Sequence, residues 1–287
     1  MSTPPEPSES KNLYVMDSES AGEMARLMNQ DILATKNMGG LLAERPDFAN
    51  IHDILDLACG PGGWVMEVAF AQPEIQVVGV DISQRMIEYA QVQALVQRLD
   101  NAHFMVMDIM QPLDFSDASF DLVNARTISF LPPTAWPKLI QECMRITRPG
   151  GLIRLTEGEG FGITNSAALS KLDGMLTKAL LVAGQSFSPD GRSIGITPML
   201  GHFLHEAGCQ NIQSRAHAID FSAWTEAHNA WYHHYKISLK LLQPFLIRVG
   251  VTTQEEQDEL YDQLLMEMLS PDFCAVAFSL TVMGEKP

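Results

Sequence analysis

The stretch DILDLACGPGGWVMEVAF, residues 53–70, passes from an apolar run to closely spaced glycines and then to a helix-like pattern. Residues 52–58 read as a buried strand and residues 63–71 as a helix. A glycine turn between a strand and a helix leaves backbone N–H groups uncovered at one end of a sheet, where side chains would keep a ligand away. The stretch therefore predicts an α/β sheet with a ligand-binding turn, the alternative being a tight turn with no ligand.

The segments that follow alternate strand and helix patterns. Such alternation is typical of a doubly wound, mainly parallel sheet. Ser83 is a plausible N-cap for the helix after the second strand. We expect seven strands and a Rossmann-like α/β fold, with helical insertions forming a lid; after the first strand, the predicted strands are residues 75–81, 102–108, 119–125, 152–157, 211–219 and 273–284.

The same patterns divide the chain into five regions. They are a disordered tail (1–17), a helical cap (18–50), a cofactor-binding core (51–220), a helical insertion that is a lid or a dimer interface (221–270) and the last strand of the sheet (271–287). Two further helices are expected near residues 222–248 and 253–269.

Composition narrows the function classes. A net charge of −16 without a basic stripe argues against a nucleic-acid partner and favours a small molecule. No apolar run is long enough to span a membrane. Four widely spaced cysteines without a CxxC pair suggest reduced thiols in a cytoplasmic protein. The 16 methionines and the helical insertions suit a self-association surface, so a homodimer stays open.

Two cofactor classes use a glycine turn of this kind. Residues 58–63, ACGPGG, fit the spacing of a dinucleotide fingerprint with alanine in place of its first glycine, and Asp81 is the acid at the end of the second strand. Taken alone, this fragment fits either a nicotinamide dinucleotide or another adenosine-containing cofactor.

The surrounding residues resemble class I S-adenosylmethionine-dependent methyltransferases. ILDLACGPGG resembles their first motif, VVGVDIS the second, VMDIM the third and SFDLVNAR the fourth, and RITRPGGLIRLTE resembles the turn and strand that follow. The resemblance covers about residues 51–157 and the late strand pair. Ala58 departs from the family's usual glycine, a change that is tolerated if its φ is negative.

The resemblance implies S-adenosylmethionine as cofactor. Asp56 is the acid before the glycine loop, Asp81 binds the ribose hydroxyls and Asp108 contacts the adenine amino group. Ile82 and Met86 lie against the adenine ring or are core residues. The full expected cofactor-binding set is Tyr14, Asp56, Ala58, Gly60, Gly62, Asp81, Ile82, Met86, Asp108, Ile109, Asn124 and Arg126.

The acceptor should bind over the carboxyl ends of the fourth and fifth strands. Arg126, Ser129, Glu157 and Glu159 are the candidates there. Glu157, which ends the fifth strand, is our candidate base or acceptor ligand, and a salt bridge to Arg126 is its structural alternative. His228 is the second candidate base.

The insertion FSAWTEAHNAWYHHYKISLKLLQPFL, residues 221–246, offers aromatic side chains to roof an apolar pocket: Trp224, Trp231 and Tyr235. Packing in a core or a dimer interface is the alternative. His228, His233 and His234 do not predict a metal site, because neither adjacent histidine has a partner at i+4.

The leading hypothesis is a methyltransferase acting on a small, mostly apolar acceptor. The alternatives are a nicotinamide-dependent dehydrogenase, for which the sequence offers no YxxxK motif and no role for Asp108, and a non-catalytic protein that binds S-adenosylmethionine. The sequence does not distinguish an oxygen, nitrogen or carbon acceptor.

Overall fold

The computed structural model describes residues 13–17, 20–45 and 47–287. Within them the chain forms one sheet surrounded by helices. The helices are α1 (Ala21–Met38), α2 (Gly63–Ala71), α3 (Gln84–Gln97), α4 (Trp136–Ile146), α5 (Ala167–Val182), α6 (Thr197–Glu206), α7 (His228–Val249) and α8 (Gln254–Met268). The strands are β1 (Asp53–Leu57), β2 (Gln76–Asp81), β3 (Ala102–Val106), β4 (Phe120–Arg126), β5 (Thr147–Gly158), β6 (Ile163–Thr164), β7 (Gln210–Asp220) and β8 (Ala275–Glu285).

The first five strands form the parallel half of the sheet, in the order β3-β2-β1-β4-β5. Alternate residues of these strands belong to separate apolar clusters. Ile54 and Val77 belong to the cluster that includes side chains of α2 and α3. Leu55, Leu57 and Val80 belong to the second cluster, on the opposite face of the sheet. Burial on both faces explains why the strands read as continuous apolar runs, and the predicted doubly wound sheet is confirmed.

The other half of the sheet is antiparallel. β8 lies between β5 on one edge and β7 on the other, and the two-residue β6 pairs with the start of β8. Seven strands were predicted, and β6 is an eighth. It follows β5 closely and extends the sheet by only two residue pairs, too short a segment to leave a pattern in the sequence.

Two predicted boundaries are wrong. Residues 148–151, RPGG, do not separate α4 from β5: they lie inside β5, where the pairing with β4 shifts register between Phe120 and Leu122. α7 begins at His228 and not near residue 222. The amides of Phe221 and Ala223 donate to the carbonyls of Ala275 and Phe273, which keeps residues 221–223 extended beside β8.

The N-terminal segment differs from the prediction in its last residues. The predicted disordered tail falls mostly on residues 1–12, which lie outside the described residues. Residues 13–17 are described and partly packed; Gln185 Nε2 donates to the Leu13 carbonyl at 2.9 Å. α1 packs against α7, and α5 packs against α7 and α8. None of the helices in the described part of the chain is long and apolar enough to cross a bilayer.

Candidate active site

One cavity of about 390 Å³ lies at the carboxyl ends of the parallel strands. This volume is within the ordinary range of small-molecule sites. The strand ends supply one wall, and α1, α5 and α7 supply the other. Of the predicted site residues, it is lined by Tyr14, Asp56, Ala58, Gly60, Asp81, Ile82, Met86, Asp108, Ile109, Arg126, Ser129, Glu157, Trp231, His234 and Tyr235.

The glycine turn follows β1 and forms the floor of the cavity. Ala58 has a φ of +52°, so the expectation of a negative φ at this departure from the family pattern is wrong. Packing requires a glycine at position 62, because a Cβ there would lie 2.4 Å from the Phe104 ring. It is absent from the cavity lining, so the prediction that Gly62 contacts a cofactor is corrected to a role in packing α2 on the sheet.

Asp81 ties this turn to the end of β2. Its Oδ2 accepts a hydrogen bond from the Gly60 amide and its Oδ1 accepts one from the Ser83 amide, both at 2.9 Å. Ser83 caps α3 as predicted, with its hydroxyl accepting from the Met86 amide at 3.2 Å. Asp81 therefore shapes the turn, and it lines the cavity at the end of β2.

The next acid along this wall is Asp108, which follows β3. Its Oδ1 accepts from the Met110 amide at 2.9 Å. Ile82, Met86 and Ile109 lie in the same part of the cavity. The Asp108 carboxylate therefore adjoins an apolar surface. A nucleobase needs this combination, because its ring is apolar and its exocyclic groups are polar.

Asp56 lies in a buried polar row across the sheet. β1, β4 and β5 bring Asp56, Asn124 and Arg154 into register. Asn124 Nδ2 donates to Asp56 Oδ1 at 2.7 Å, and Arg154 Nη1 donates to Asn124 Oδ1 at 2.8 Å. Asn124 is fully buried and does not line the cavity, so its predicted cofactor contact is wrong. Its role in the structure is to orient the Asp56 carboxyl.

The row continues to Glu44, which binds Arg154 Nε at 2.9 Å and lies 3.2 Å from His217 Nε2. Burial raises the pKa of Asp56 to about 7, opposed by Arg126 and the hydrogen bond from Asn124. Glu44 and Arg154 were not predicted. Arg154 is a charged residue in the middle of an apolar strand, and that irregularity was the available signal.

Arg126 ends β4 and pairs with Asp31 of α1. Arg126 Nη2 lies 2.6 Å from Asp31 Oδ1, and its guanidinium lies 5.6 Å from the Trp64 ring centre. A Cβ on Gly63 would be 2.5 Å from Asp31 Oδ2, so the start of α2 lies directly against this carboxylate. The predicted alternative, a salt bridge between Glu157 and Arg126, is wrong because Asp31 is the partner.

Tyr14 joins the N-terminal segment to α1. Its hydroxyl donates to Glu23 Oε1 at 2.6 Å, and Arg26 Nη2 donates to the same hydroxyl at 3.1 Å. Arg26 also pairs with Glu23 at 2.6 Å, and both are buried. Arg26 and Asp31 line the cavity, although neither was predicted as a site residue.

Glu157 ends β5 on the cap side of the cavity, with 1% of its surface exposed. The Ile128 amide donates to its Oε1 at 2.7 Å, and its Oε2 has no hydrogen-bond partner among the described residues. Burial raises the pKa of Glu157 to about 8, although the Ile128 amide and the amide and hydroxyl of Ser129 lower it. Glu159 is not in the cavity lining; its carboxylate accepts from the amides of Gly195 and Thr197 at 2.7 Å.

The structure places His228 outside the cavity. Its Nδ1–H donates to the Phe221 carbonyl at 3.0 Å, and its ring lies 5.8 Å from that of Phe273. Its prediction as a base is therefore wrong, because the first turn of α7 directs it at the end of β7. About two and three turns further on, His234 and Ser238 line the cavity instead.

Two of the three aromatic residues predicted to roof the pocket line the cavity, and the roof itself stays a prediction. Trp231 stacks on Phe221 at 5.3 Å, and the Tyr235 hydroxyl donates to the Phe161 carbonyl at 2.9 Å. Both line the cavity. Trp224 does not, because it precedes α7 and is 67% exposed. Among residues 13–17, 20–45 and 47–287, no three His, Cys, Asp or Glu side chains are grouped to hold a metal ion.

Comparison with known proteins agrees with this geometry. Residues 54–151 match the model of a family described as a methyltransferase domain. A carboxy-S-adenosyl-L-methionine synthase from Actinobacillus succinogenes is 32% identical over 123 residues, 41% of this chain and 49% of that protein. A 27-O-demethylrifamycin SV methyltransferase from Amycolatopsis mediterranei is 31% identical over 148 residues, 51% of each chain. The match thus spans about half the length of these relatives.

Among solved structures, phosphoethanolamine N-methyltransferase 2 from Haemonchus contortus, in complex with S-adenosyl-L-methionine, superposes with a TM-score of 0.53. The alignment covers 92% of this chain and 57% of that chain at 18% identity. At this identity the likeness concerns the fold alone, and it extends through the cap as well as the sheet.

Proposed function

We propose that this chain, which carries a class I S-adenosylmethionine-dependent methyltransferase domain, transfers a methyl group to a small, mostly apolar acceptor in the cavity between the sheet and α7. The observation that supports the proposal most directly is the continuity of that cavity. It joins the glycine turn, Asp81 and Asp108 at one end with Glu157 and α7 at the other. Donor and acceptor then occupy one enclosure, as a direct displacement requires.

The cofactor half has groups suited to an adenosine sulfonium. Asp81 would accept hydrogen bonds from the ribose hydroxyls, and Asp108 would accept one from the adenine amino group. Asp56, Arg126 and Tyr14 line the opposite part, where the charged amino-acid end would lie. Ile82, Met86 and Ile109 supply the apolar contact for the ring, and Ala58 and Gly60 the bare backbone. When bound, S-adenosylmethionine supplies an electrophilic methyl group on its sulfonium.

The cap half supports the apolar character of the acceptor. Most of its lining consists of hydrocarbon side chains from six separate segments, which exclude water from the displacement. These side chains are Phe161, Leu176, Leu180, Ile194, Ile219, Leu242, Ala277 and Phe278.

Glu157 is the group in this half that we assign as the base. Its ionised Oε2 would take the proton from the nucleophilic atom of the acceptor as the new bond to the methyl carbon forms and the sulfur–methyl bond breaks. A carboxylate in water is too weak a base for this step, and burial raises the pKa of Glu157 to about 8, toward the range where proton transfer is effective. The products are the methylated acceptor and S-adenosylhomocysteine.

Calorimetry and product analysis test the proposal. The protein should bind S-adenosylhomocysteine and not NAD, and incubation with methyl-labelled S-adenosylmethionine and an extract of small molecules should yield a labelled, methylated product. Mass spectrometry of both products separates methyl transfer from modification of the cofactor itself. Tight cofactor binding with no product from any acceptor would favour the non-catalytic S-adenosylmethionine-binding protein.

A further inference from the structure

The cap half of the cavity contains several buried polar atoms that lack partners. Ten such side-chain atoms occur in the described part of the chain, and five of them belong to residues that line the cavity. Those five are Glu157 Oε2, Trp231 Nε1, His234 Nδ1, Ser238 Oγ and Ser279 Oγ. Buried polar groups in proteins nearly always have hydrogen-bond partners, so this concentration indicates that a bound molecule completes them.

Three of the five lie on one stripe of α7. Trp231, His234 and Ser238 are separated by three and four residues, which places them on the same helix face. Tyr235 lies on this face too, but its hydroxyl is already bound to the Phe161 carbonyl. The stripe thus contains one satisfied polar group and three unsatisfied ones, and Ser279 of β8 adds a fourth from across the cavity.

The chemistry of these groups restricts the ligand. An indole N–H only donates, so a partner for Trp231 must offer a lone pair. The hydroxyls of Ser238 and Ser279 both donate and accept. An ammonium group offers donors alone and would leave the indole unmatched. An ether, carbonyl or hydroxyl oxygen can accept a hydrogen bond from each of Trp231, Ser238 and Ser279.

The charged residues around the cavity also restrict the charge of the ligand. Arg26 is paired with Glu23, and Arg126 with Asp31. Burial, with Arg26 nearby, lowers the pKa of His234 to about 3, so its imidazole is neutral at physiological pH. Neither cation is left to hold an anionic acceptor, and burying an unpaired charge is costly.

We propose that the cap half selects an uncharged acceptor with at least two oxygen atoms: a hydroxyl that is methylated beside Glu157, and a second oxygen that accepts a hydrogen bond from the Trp231–Ser238 face of α7. This rests on the proposed function for the identity of the first oxygen. The second oxygen is a binding determinant and does not react.

Equilibrium binding to the protein loaded with S-adenosylhomocysteine tests the proposal independently of methyl transfer. The probes are dihydroxynaphthalene, naphthol and hydroxynaphthoate, which share one ring system and differ in the second substituent. We expect dihydroxynaphthalene to bind about fivefold more tightly than naphthol, the effect of one hydrogen bond of ~1 kcal/mol. Hydroxynaphthoate should bind at least about tenfold more weakly than dihydroxynaphthalene, because its carboxylate has no free cation.

Conservative variants locate the second oxygen. Trp231→Phe removes the N–H and keeps a ring against Phe221, and Ser238→Ala removes a hydroxyl. Each should reduce the preference for dihydroxynaphthalene over naphthol, and the double variant should bring the two within about twofold, with S-adenosylhomocysteine affinity unchanged. Trp224→Phe, at an exposed position outside the cavity, is the matched control and should keep the full preference.

Three results would overturn the proposal: equal binding of dihydroxynaphthalene and naphthol, tighter binding of hydroxynaphthoate, or a preference that survives the double variant. Absence of binding by all three probes would overturn it as well. A preference that depends on Trp231 and Ser238, together with no labelled product from methyl-labelled S-adenosylmethionine, would support this inference and contradict the proposed function. Thermal unfolding of each variant confirms that it is folded.

Discussion

The two halves of the cavity treat their polar groups in opposite ways. Around the cofactor half, Asp81 at the end of β2 and Asp108 two residues after β3 each accept a hydrogen bond from the amide two residues further along the chain. In the cap half, Trp231 Nε1 and Ser238 Oγ have no partner in the described chain, and Glu157 binds through only one oxygen. The first half is complete as a protein surface, whereas the second is complete only with a ligand.

This difference follows from how each half is built. The cofactor half comes from short segments that are continuous in sequence, since every parallel strand delivers its next residues to the same edge. The cap half comes from α1, α5, α7 and β8, whose side chains meet only after the chain has folded. A site for a common cofactor can be specified locally, whereas a site for one particular acceptor depends on long-range placement.

The largest expected effect separates the halves chemically. Glu157→Gln should lower the rate of methyl transfer by about 100-fold or more, the usual contribution of a positioned base, and change S-adenosylhomocysteine affinity by less than about twofold. The wild-type rate should rise with pH through about 8 as Glu157 ionises, and that rise should be absent from the residual activity of the variant. Equal rates for the two proteins would exclude Glu157 as the base.

Asp81→Ala makes the opposite separation. Removing a charged hydrogen-bonding group should weaken S-adenosylhomocysteine binding by roughly tenfold or more, because such hydrogen bonds contribute ~1.5–3 kcal/mol to the binding free energy. The cofactor-free protein should also melt at a lower temperature, because the amides of Gly60 and Ser83 lose their acceptor. Calorimetry and thermal unfolding measure both effects. Asp114→Ala, an exposed acid outside the cavity, is the control; an unchanged affinity in Asp81→Ala would remove Asp81 from the cofactor site.

Stability should depend on pH through one acid from each half. Burial raises the pKa of Asp56 from 3.8 to about 7 and that of Glu157 from 4.5 to about 8. Below the unfolded values both groups are protonated in both states. As pH rises, the unfolded chain ionises first, so their stabilising contribution declines until the folded values are passed.

These two groups should therefore lower the melting temperature progressively as the pH rises from about 4 to about 8. Glu157→Gln should flatten the upper part of that fall and Asp56→Asn the lower part. Unfolding scans of the three proteins in matched buffers give the comparison. A difference between wild type and Glu157→Gln that stays constant with pH would show that Glu157 is ionised in the folded protein throughout the range.

The sequence predicted the cofactor half far better than the cap half, for physical reasons. Strand periodicity and the acids at strand ends located Asp56, Asp81 and Asp108 on the cavity wall. The pattern could not separate Asn124, which Asp56 and Arg154 enclose, from Arg126, which lines the cavity, because the two residues lie two apart on the same face of β4. The start of α7 was predicted six residues too early, because the Ala275 and Phe273 carbonyls that hold residues 221–223 extended belong to a segment about 50 residues away. The sequence did not show which of His228 and His234 faces the cavity.

The smallest expected effect concerns Ala58, where the cofactor half departs from its family pattern. Its φ of +52° costs an alanine about 1–2 kcal/mol relative to glycine. Glycine also gains freedom in the unfolded chain, which offsets about 0.4–1 kcal/mol. Ala58→Gly should therefore raise the free energy of unfolding by up to ~1.6 kcal/mol, measured as a higher denaturant midpoint with an unchanged slope.

Ala118 offers the matched control, because it has a φ of +55° and lies outside the cavity. Ala118→Gly should stabilise the protein by a similar amount. If the strain at Ala58 is only structural, both variants should keep wild-type affinity for S-adenosylhomocysteine. A change in affinity confined to Ala58→Gly would show that this alanine shapes the cofactor turn, and that the departure from glycine affects binding as well as folding.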